Sequence, residues 1–155
     1  GMSQRGGDVQ SHLRISDKPI YSDLITQGGA DIILSVEPME ALRYLPFLSP
    51  SGYLITNIKA YKNIDNYPDE EDIMKSINQI NNKIAINADN IAKEEIKSTR
   101  SSNIVMLGAA APFLGFELHE LETAIKQLFG RKGENIVDMN IRALHAGNKF
   151  AMENR

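Results

Sequence analysis

One stretch of about thirty residues limits the fold more than any other part of the chain. Residues 30–36 (ADIILSV) form an almost unbroken apolar run headed by an aspartate, the pattern of a strand covered on both faces in a parallel sheet. Glu37-Pro38 follows, and proline suits the first turn of a helix, where its missing N–H has no intrahelical partner to lose. The predicted helix runs to about Leu45 with Met39, Leu42 and Leu45 on one side, and Pro46 with the Ser49-Pro50-Ser51-Gly52 turn closes it. Residues 53–58 (YLITNI) are the next strand. Strand, helix and strand at this spacing make a βαβ crossover, so the fold class is α/β with a mostly parallel sheet.

Around this unit the periodicity changes several times. Val9, Ser11, Leu13 and Ile15 alternate with Gln10, His12 and Arg14, which predicts a strand with one wet face. Ser16-Asp17-Lys18-Pro19 is a turn, and Ile20-Tyr21 is a short partner strand completing a hairpin. Gln27-Gly28-Gly29 breaks the chain before the βαβ unit. Residues 59–68 are a polar, aromatic connection of the kind that often carries function. Asp69 caps a helix carrying Ile73, Ile77 and Ile80. Residues 84–88 are a third strand, and Asp89 caps a helix to about Ile96. Asn103 caps a buried helix over 104–114, bent by Pro112 and ended by Gly115. Leu118, Leu121, Ile125 and Leu128 mark a further helix stopped by Gly130, and the last spans about 134–150.

The chain has 155 residues, 42% of them apolar, enough for one core and too few for two ordinary domains, so residues 1–155 are expected to be one domain. A net charge of −3 with mixed signs provides no basic stripe for nucleic acid. There is no cysteine, which excludes disulfides, thiolate catalysis and cysteine-held zinc or iron–sulfur clusters. The longest apolar run, 104–116, contains Pro112 and two glycines and is short of the roughly 18 residues of a bilayer-spanning helix. With no basic, apolar leader at the start, a cytoplasmic location is expected. Gly1 reads either as an expression scar before Met2 or as a native glycine.

Chemistry concentrates in few places. In Ser3-Gln4-Arg5-Gly6-Gly7 paired glycines free the backbone beside a guanidinium that can grip a carboxylate or phosphate. A tight turn with a solvated arginine is the plainer reading of those residues alone. His12, His119 and His145 stand on separate elements without a metal-ligand spacing, so no metal site is expected. His12, beside the loop, is the one placed to carry a proton. Glu37 and Asp89 sit just past apolar strands. Helix capping accounts for them, and a strand-end ligand site is the further possibility. No nucleophile elbow, Walker loop or dinucleotide fingerprint is present, and no catalytic residue is assigned.

The segment Gly1-Met2-Ser3-Gln4-Arg5-Gly6-Gly7 with Ser11-His12-Leu13-Arg14, the Glu37-Pro38-Met39-Glu40-Ala41-Leu42-Arg43 helix start, residues 103–115 and residues 140–147 together resemble the gamma-type subunit of 2-oxoacid:ferredoxin oxidoreductases. In indolepyruvate oxidoreductases this is the small beta subunit. The resemblance implies a Rossmann-like three-layer domain packed on a large subunit that holds thiamine diphosphate and iron–sulfur clusters, with ferredoxin as electron acceptor. It implies no cofactor on this chain alone, and a cofactor-binding or partner-facing role for Ser3, Gln4, Arg5, Gly6, Gly7 and His12. One departure stands out. Family members usually open with a Gly-x-Gly-Gly-Gln-Gly segment, a strand and a helix, and these are missing here. A missing N-terminal βα unit is expected to leave a strand edge and a helix-sized patch for something else to cover, such as a second copy (self-association) or the large subunit. The functional expectation is a subunit of an indolepyruvate-type 2-oxoacid:ferredoxin oxidoreductase without a complete active site of its own. The alternatives are a stand-alone homodimeric α/β module, anion-binding or non-catalytic, and a remnant with neither role.

Overall fold

The computed structural model describes residues 9–62 and 65–155. Among the described residues three strands, β1 (Ala30–Ser35), β2 (Leu48–Asn57) and β3 (Lys83–Ile86), form one sheet in the order β1-β2-β3. Both pairings are parallel, as the apolar runs predict. The crossovers are α1 (Pro38–Arg43) and α2 (Glu70–Asn78), and α3 (Ala88–Ile96), α4 (Ser102–Ala110), α5 (Leu118–Phe129) and α6 (Glu134–Asn154) follow β3.

Register decides which side chains share a face. Leu34 pairs with Ile55 and Ile55 with Ile84, so these point to one side. There Ile55, Ile84 and Ile86 join Val105, Met106 and Ala109 of α4 and Ala143 of α6 in the main core. Leu54 and Thr56 face the other side and are fully buried, as is Ala41 of α1, while Ile73 and Ile77 of α2 are buried as well. Covering both faces gives the three layers of a Rossmann-like domain.

α4 and α6 cross at unusually short range because each supplies a glycine. A Cβ on Gly147 would stand 2.8 Å from the Val105 carbonyl carbon, and one on Gly108 would stand 2.9 Å from that of Leu144, with the carbonyl oxygens closer still. Backbone therefore meets backbone, and both glycine positions are buried.

Several element boundaries differ from the sequence expectation. Residues 9–15 and 20–21 are not strands; residues 9–29 form an irregular arm whose Val9, Leu13, Ile15, Ile20 and Tyr21 are exposed. Its two legs are tied by Arg14 Nη1 donating to the Ser22 carbonyl at 2.8 Å and by the Ile25 N–H donating to His12 Nδ1 at 2.8 Å. Alternation makes a strand only where a neighbouring strand supplies a ladder, and the described residues provide none. Gly28, with φ +70°, turns the arm's end and donates to the Pro46 carbonyl at 2.9 Å.

The Ser49–Gly52 turn lies inside β2. Ala30 pairs with Leu48 and Ile32 already with Tyr53, so the intervening residues bulge out. Helix α1 ends at Arg43, and residues 45–47 form a 3-10 turn. Asn87, not Asp89, caps α3, accepting from the Asn90 N–H at 3.0 Å. Helix α4 begins at Ser102 without a side-chain cap, so Asn103 falls inside it. At Pro112 the chain tightens into a 3-10 turn at Ala111–Phe113, and Gly115, at φ +74°, ends it. Leu128 lies on the stripe of α5 yet is exposed, whereas Ile125 is buried.

Candidate functional site

The carboxyl ends of parallel strands are where open α/β sheets place their ligands, and here that edge carries a continuous polar band. Glu37 follows β1 and caps α1, with Oε2 accepting from the Glu40 N–H at 2.8 Å. Its other oxygen accepts from the Tyr67 hydroxyl and, at 3.4 Å, from the Tyr61 N–H. Burial, followed by the hydrogen bond to the Glu37 carboxylate, pushes the Tyr67 phenol well above its ordinary range.

Asn57, the last residue of β2, is buried and uses both halves of its amide. Nδ2 donates to the Val36 carbonyl at 3.4 Å and to Asp89 Oδ2 at 3.1 Å. Oδ1 accepts from the Ala88 N–H at 3.2 Å and from the Lys59 N–H at 3.5 Å. One amide thus joins the residue after β1, the end of β2 and the start of α3. Asp89 also takes an ion pair from Lys59 at 3.8 Å. Farther out, Lys62 pairs with Glu70 at 2.6 Å, and that carboxylate raises the lysine's proton affinity.

Glu37 and Asp89, singled out in the sequence, are therefore brought to the same sheet edge. Each already accepts protein donors: Glu37 holds α1 and the connection before α2, and Asp89 holds Asn57 and Lys59. The arrangement binds the β2–α2 connection down over the strand ends, and neither carboxylate is poised as a free base. Asn57 and Tyr67 were not picked out in the sequence. The available signal was an amide at the end of a buried apolar strand, since such groups must find partners.

The other sequence candidates lie elsewhere. Ser3, Gln4, Arg5, Gly6 and Gly7 fall outside the described residues. His12 sits on the arm, its ring edge-on to Phe47 with centroids 5.9 Å apart. His145 on α6 meets Glu122 of α5 at 2.7 Å, and His119 lies on α5. Among the described residues no three His, Asp or Glu side chains converge as metal ligands, and no helix is long and apolar enough to cross a membrane.

Two cavities are lined by described residues. One, of about 220 Å³, lies between the arm and β1, walled by His12, Ile25, Ile32, Ile33, Tyr44 and Phe47, with Glu40 as its acidic group. The other is a more open hollow between α3 and α6, with Glu94, Glu95, Arg142, His145 and Lys149 among its lining. In it Arg142 donates to the carbonyl of Glu95, which fastens α6 to the last turn of α3.

Comparison with known proteins agrees with this architecture. The indolepyruvate oxidoreductase subunit IorB of Archaeoglobus fulgidus is 34% identical over 164 aligned positions, covering 100% of this chain and 79% of the relative. The same subunit of Methanothermobacter thermautotrophicus is 34% identical, covering 99% and 80%. Among solved structures, the 2-oxoglutarate:ferredoxin oxidoreductase of Magnetococcus marinus superposes with a TM-score of 0.64 at 23% identity over 90% of this chain. This chain spans only 22% of that longer one. The pyruvate oxidoreductase subunit PORC of Thermotoga maritima superposes with a TM-score of 0.56 at 25% identity, over 77% of this chain and 62% of that one. The family model described as pyruvate ferredoxin/flavodoxin oxidoreductase matches residues 1–150, and the chain belongs to that family.

Proposed function

We propose that this chain is the small subunit of an indolepyruvate-type 2-oxoacid:ferredoxin oxidoreductase and supports oxidative decarboxylation carried out on a larger, cytoplasmic partner. The observation that carries this reading is similarity to subunits of that name along the whole chain.

This chain lacks the ligands of an iron–sulfur cluster. Without cysteine it has no thiolate for an iron–sulfur cluster. Among the described residues, the lining of the cavity beside β1 has neither lysine nor arginine to meet a diphosphate, and its volume is below the ~300–1,000 Å³ of ordinary ligand pockets. On this reading thiamine diphosphate and the clusters belong to the large subunit, with ferredoxin as the acceptor of the complex. Ser3, Gln4, Arg5, Gly6 and Gly7, with His12 close by in sequence, are assigned to the face that meets that subunit. Arg5 supplies the bidentate donor suited to a carboxylate or phosphate there.

The test is reconstitution. Tagged small subunit co-expressed with a thiamine- and cluster-binding large subunit from the same source should retain that chain, and the pair should reduce ferredoxin with indolepyruvate. Recovery of the small subunit alone, with no gain in turnover on adding it to the large one, would reject the proposal. Arg5→Ala should weaken assembly or acceptor reduction while leaving the isolated fold intact. Unchanged turnover removes Arg5 from the interface.

A further inference from the structure

The hollow between α3 and α6 carries charge of both signs that its own walls leave unneutralised. Its volume is about 390 Å³, inside the ~300–1,000 Å³ span of ordinary small-ligand sites. α6 contributes Arg142 and Lys149, about two helical turns apart on one face, with His145 between them. Glu94 and Glu95 come from the last turn of α3, and Glu153 stands about one turn beyond Lys149. Among the described residues no ion pair joins a carboxylate of the hollow to one of its cations. His145 is turned to Glu122 of α5 at 2.7 Å, Arg142 donates to the Glu95 carbonyl, and Glu94 accepts from the Asn90 amide at 3.1 Å. The side chains of Lys149, Glu95 and Glu153 have no hydrogen-bonding or ionic partner in the described structure. Between the charged walls lie Ile91, Ala146 and Phe150, all half-buried.

This lining narrows the ligand. Three carboxylates repel a phosphate or nucleotide, and two permanent cations repel a polyamine. Among the described residues no three His, Asp or Glu side chains converge on a metal position. An uncharged apolar molecule leaves the charges to water alone. A small zwitterion with an apolar body meets all three surfaces at once. We propose that the hollow between α3 and α6 binds a free amino acid with an apolar side chain. Its carboxylate is held by the Lys149 ammonium and the remaining N–H groups of Arg142, its ammonium by the carboxylates of α3, and its side chain by Ile91, Ala146 and Phe150. The charged walls are exposed, so each ionic contact is weakened by water, and a dissociation constant on the order of 1 mM is expected. This inference is independent of the proposed catalytic role, since it concerns the isolated chain.

Titration of the purified full chain with L-phenylalanine to about 20 mM, followed by amide NMR at constant ionic strength, tests it. Circular dichroism confirms that each variant is folded. Saturable shifts are expected at the Ala146 and Phe150 amides. Two analogues that carry one charge each, 3-phenylpropionate and 2-phenylethylamine, should bind at least about fivefold more weakly, and Lys149→Gln should weaken binding of the amino acid by about threefold. Lys126→Gln, which removes an exposed cation from α5, should leave it unchanged. Shifts that stay linear throughout the titration overturn the proposal. A singly charged analogue that binds as tightly as the amino acid overturns it as well, as does a Lys149→Gln chain no weaker than Lys126→Gln.

Discussion

Replacing Gly147 by alanine tests the idea that backbone contact between α4 and α6 holds the main core together. The added methyl group would lie 2.8 Å from the Val105 carbonyl carbon, where ordinary contact begins at 3.4 Å. The oxygen is nearer still, so α6 must retreat by on the order of 1 Å, and a gap of that size forfeits a quarter to a half of each dispersion contact along the seam. Overpacking of this kind costs roughly 1–3 kcal/mol and occasionally more. Alanine returns about 1 kcal/mol through helix propensity. Because the obstacle is backbone and cannot rotate away, the upper part of the range applies, and the net loss should be about 2 kcal/mol. For a chain of this length that is a fall in Tm of about 4–8 °C. Urea titration followed at 222 nm measures it, with Gly130→Ala as control, since a Cβ there meets nothing within 4 Å. If Gly147→Ala is as stable as the control, the close crossing is not what sets the geometry of the core.

Three further variants, Tyr67→Phe, Asn57→Ala and His12→Ala, test the polar band and the arm. Tyr67→Phe should destabilise the chain by about 1–2 kcal/mol through loss of a hydrogen bond to a charged acceptor, and protease should cut the 59–68 connection sooner. The raised Tyr67 phenol also sets a sign: above about pH 10 the unfolded chain sheds this proton before the folded one does. Stability should therefore fall with rising pH more steeply in the parent than in Tyr67→Phe, and parallel slopes in alkaline urea titrations would refute this. Asn57→Ala strips partners from the Ala88 N–H and the Val36 carbonyl and should cost about 2–3 kcal/mol in denaturant unfolding. His12→Ala removes the acceptor for the Ile25 N–H and the edge contact with Phe47, so amide exchange at Ile25 should accelerate while exchange in β2 stays unchanged.

The parts legible in the sequence were those whose signal is local. The 30–36 run, Pro38 at a helix start and the apolar 53–58 segment placed β1, α1 and β2 because burial on both faces and a fixed proline φ leave few other structures. The family was legible from short motifs spread along the chain. The 9–15 segment misled because alternation records which side chains are apolar, whereas a strand also requires a partner. The strand-end band was half legible. Glu37 and Asp89 stood out as charges past apolar runs, but their partners Tyr67 and Asn57 lie 30 and 32 residues away, a separation that no local pattern carries. Gly108 and Gly147 had a signal that went unused, since glycine within a helical pattern costs stability and so points to close packing.

The Asn57 amide has a consequence for the order in which the chain folds. It can close its bonds only after the first crossover has brought Val36 alongside and the second has delivered Ala88, so it is a clasp fastened last. Parallel sheets build slowly because distant segments must meet before any pairing is rewarded. Until then Ile55 and its neighbours have no cover, and a nascent chain arrested before residue 88 would be the form most in need of a chaperone. Pulsed deuterium labelling during refolding should find the Ala88 amide protected later than amides within α6.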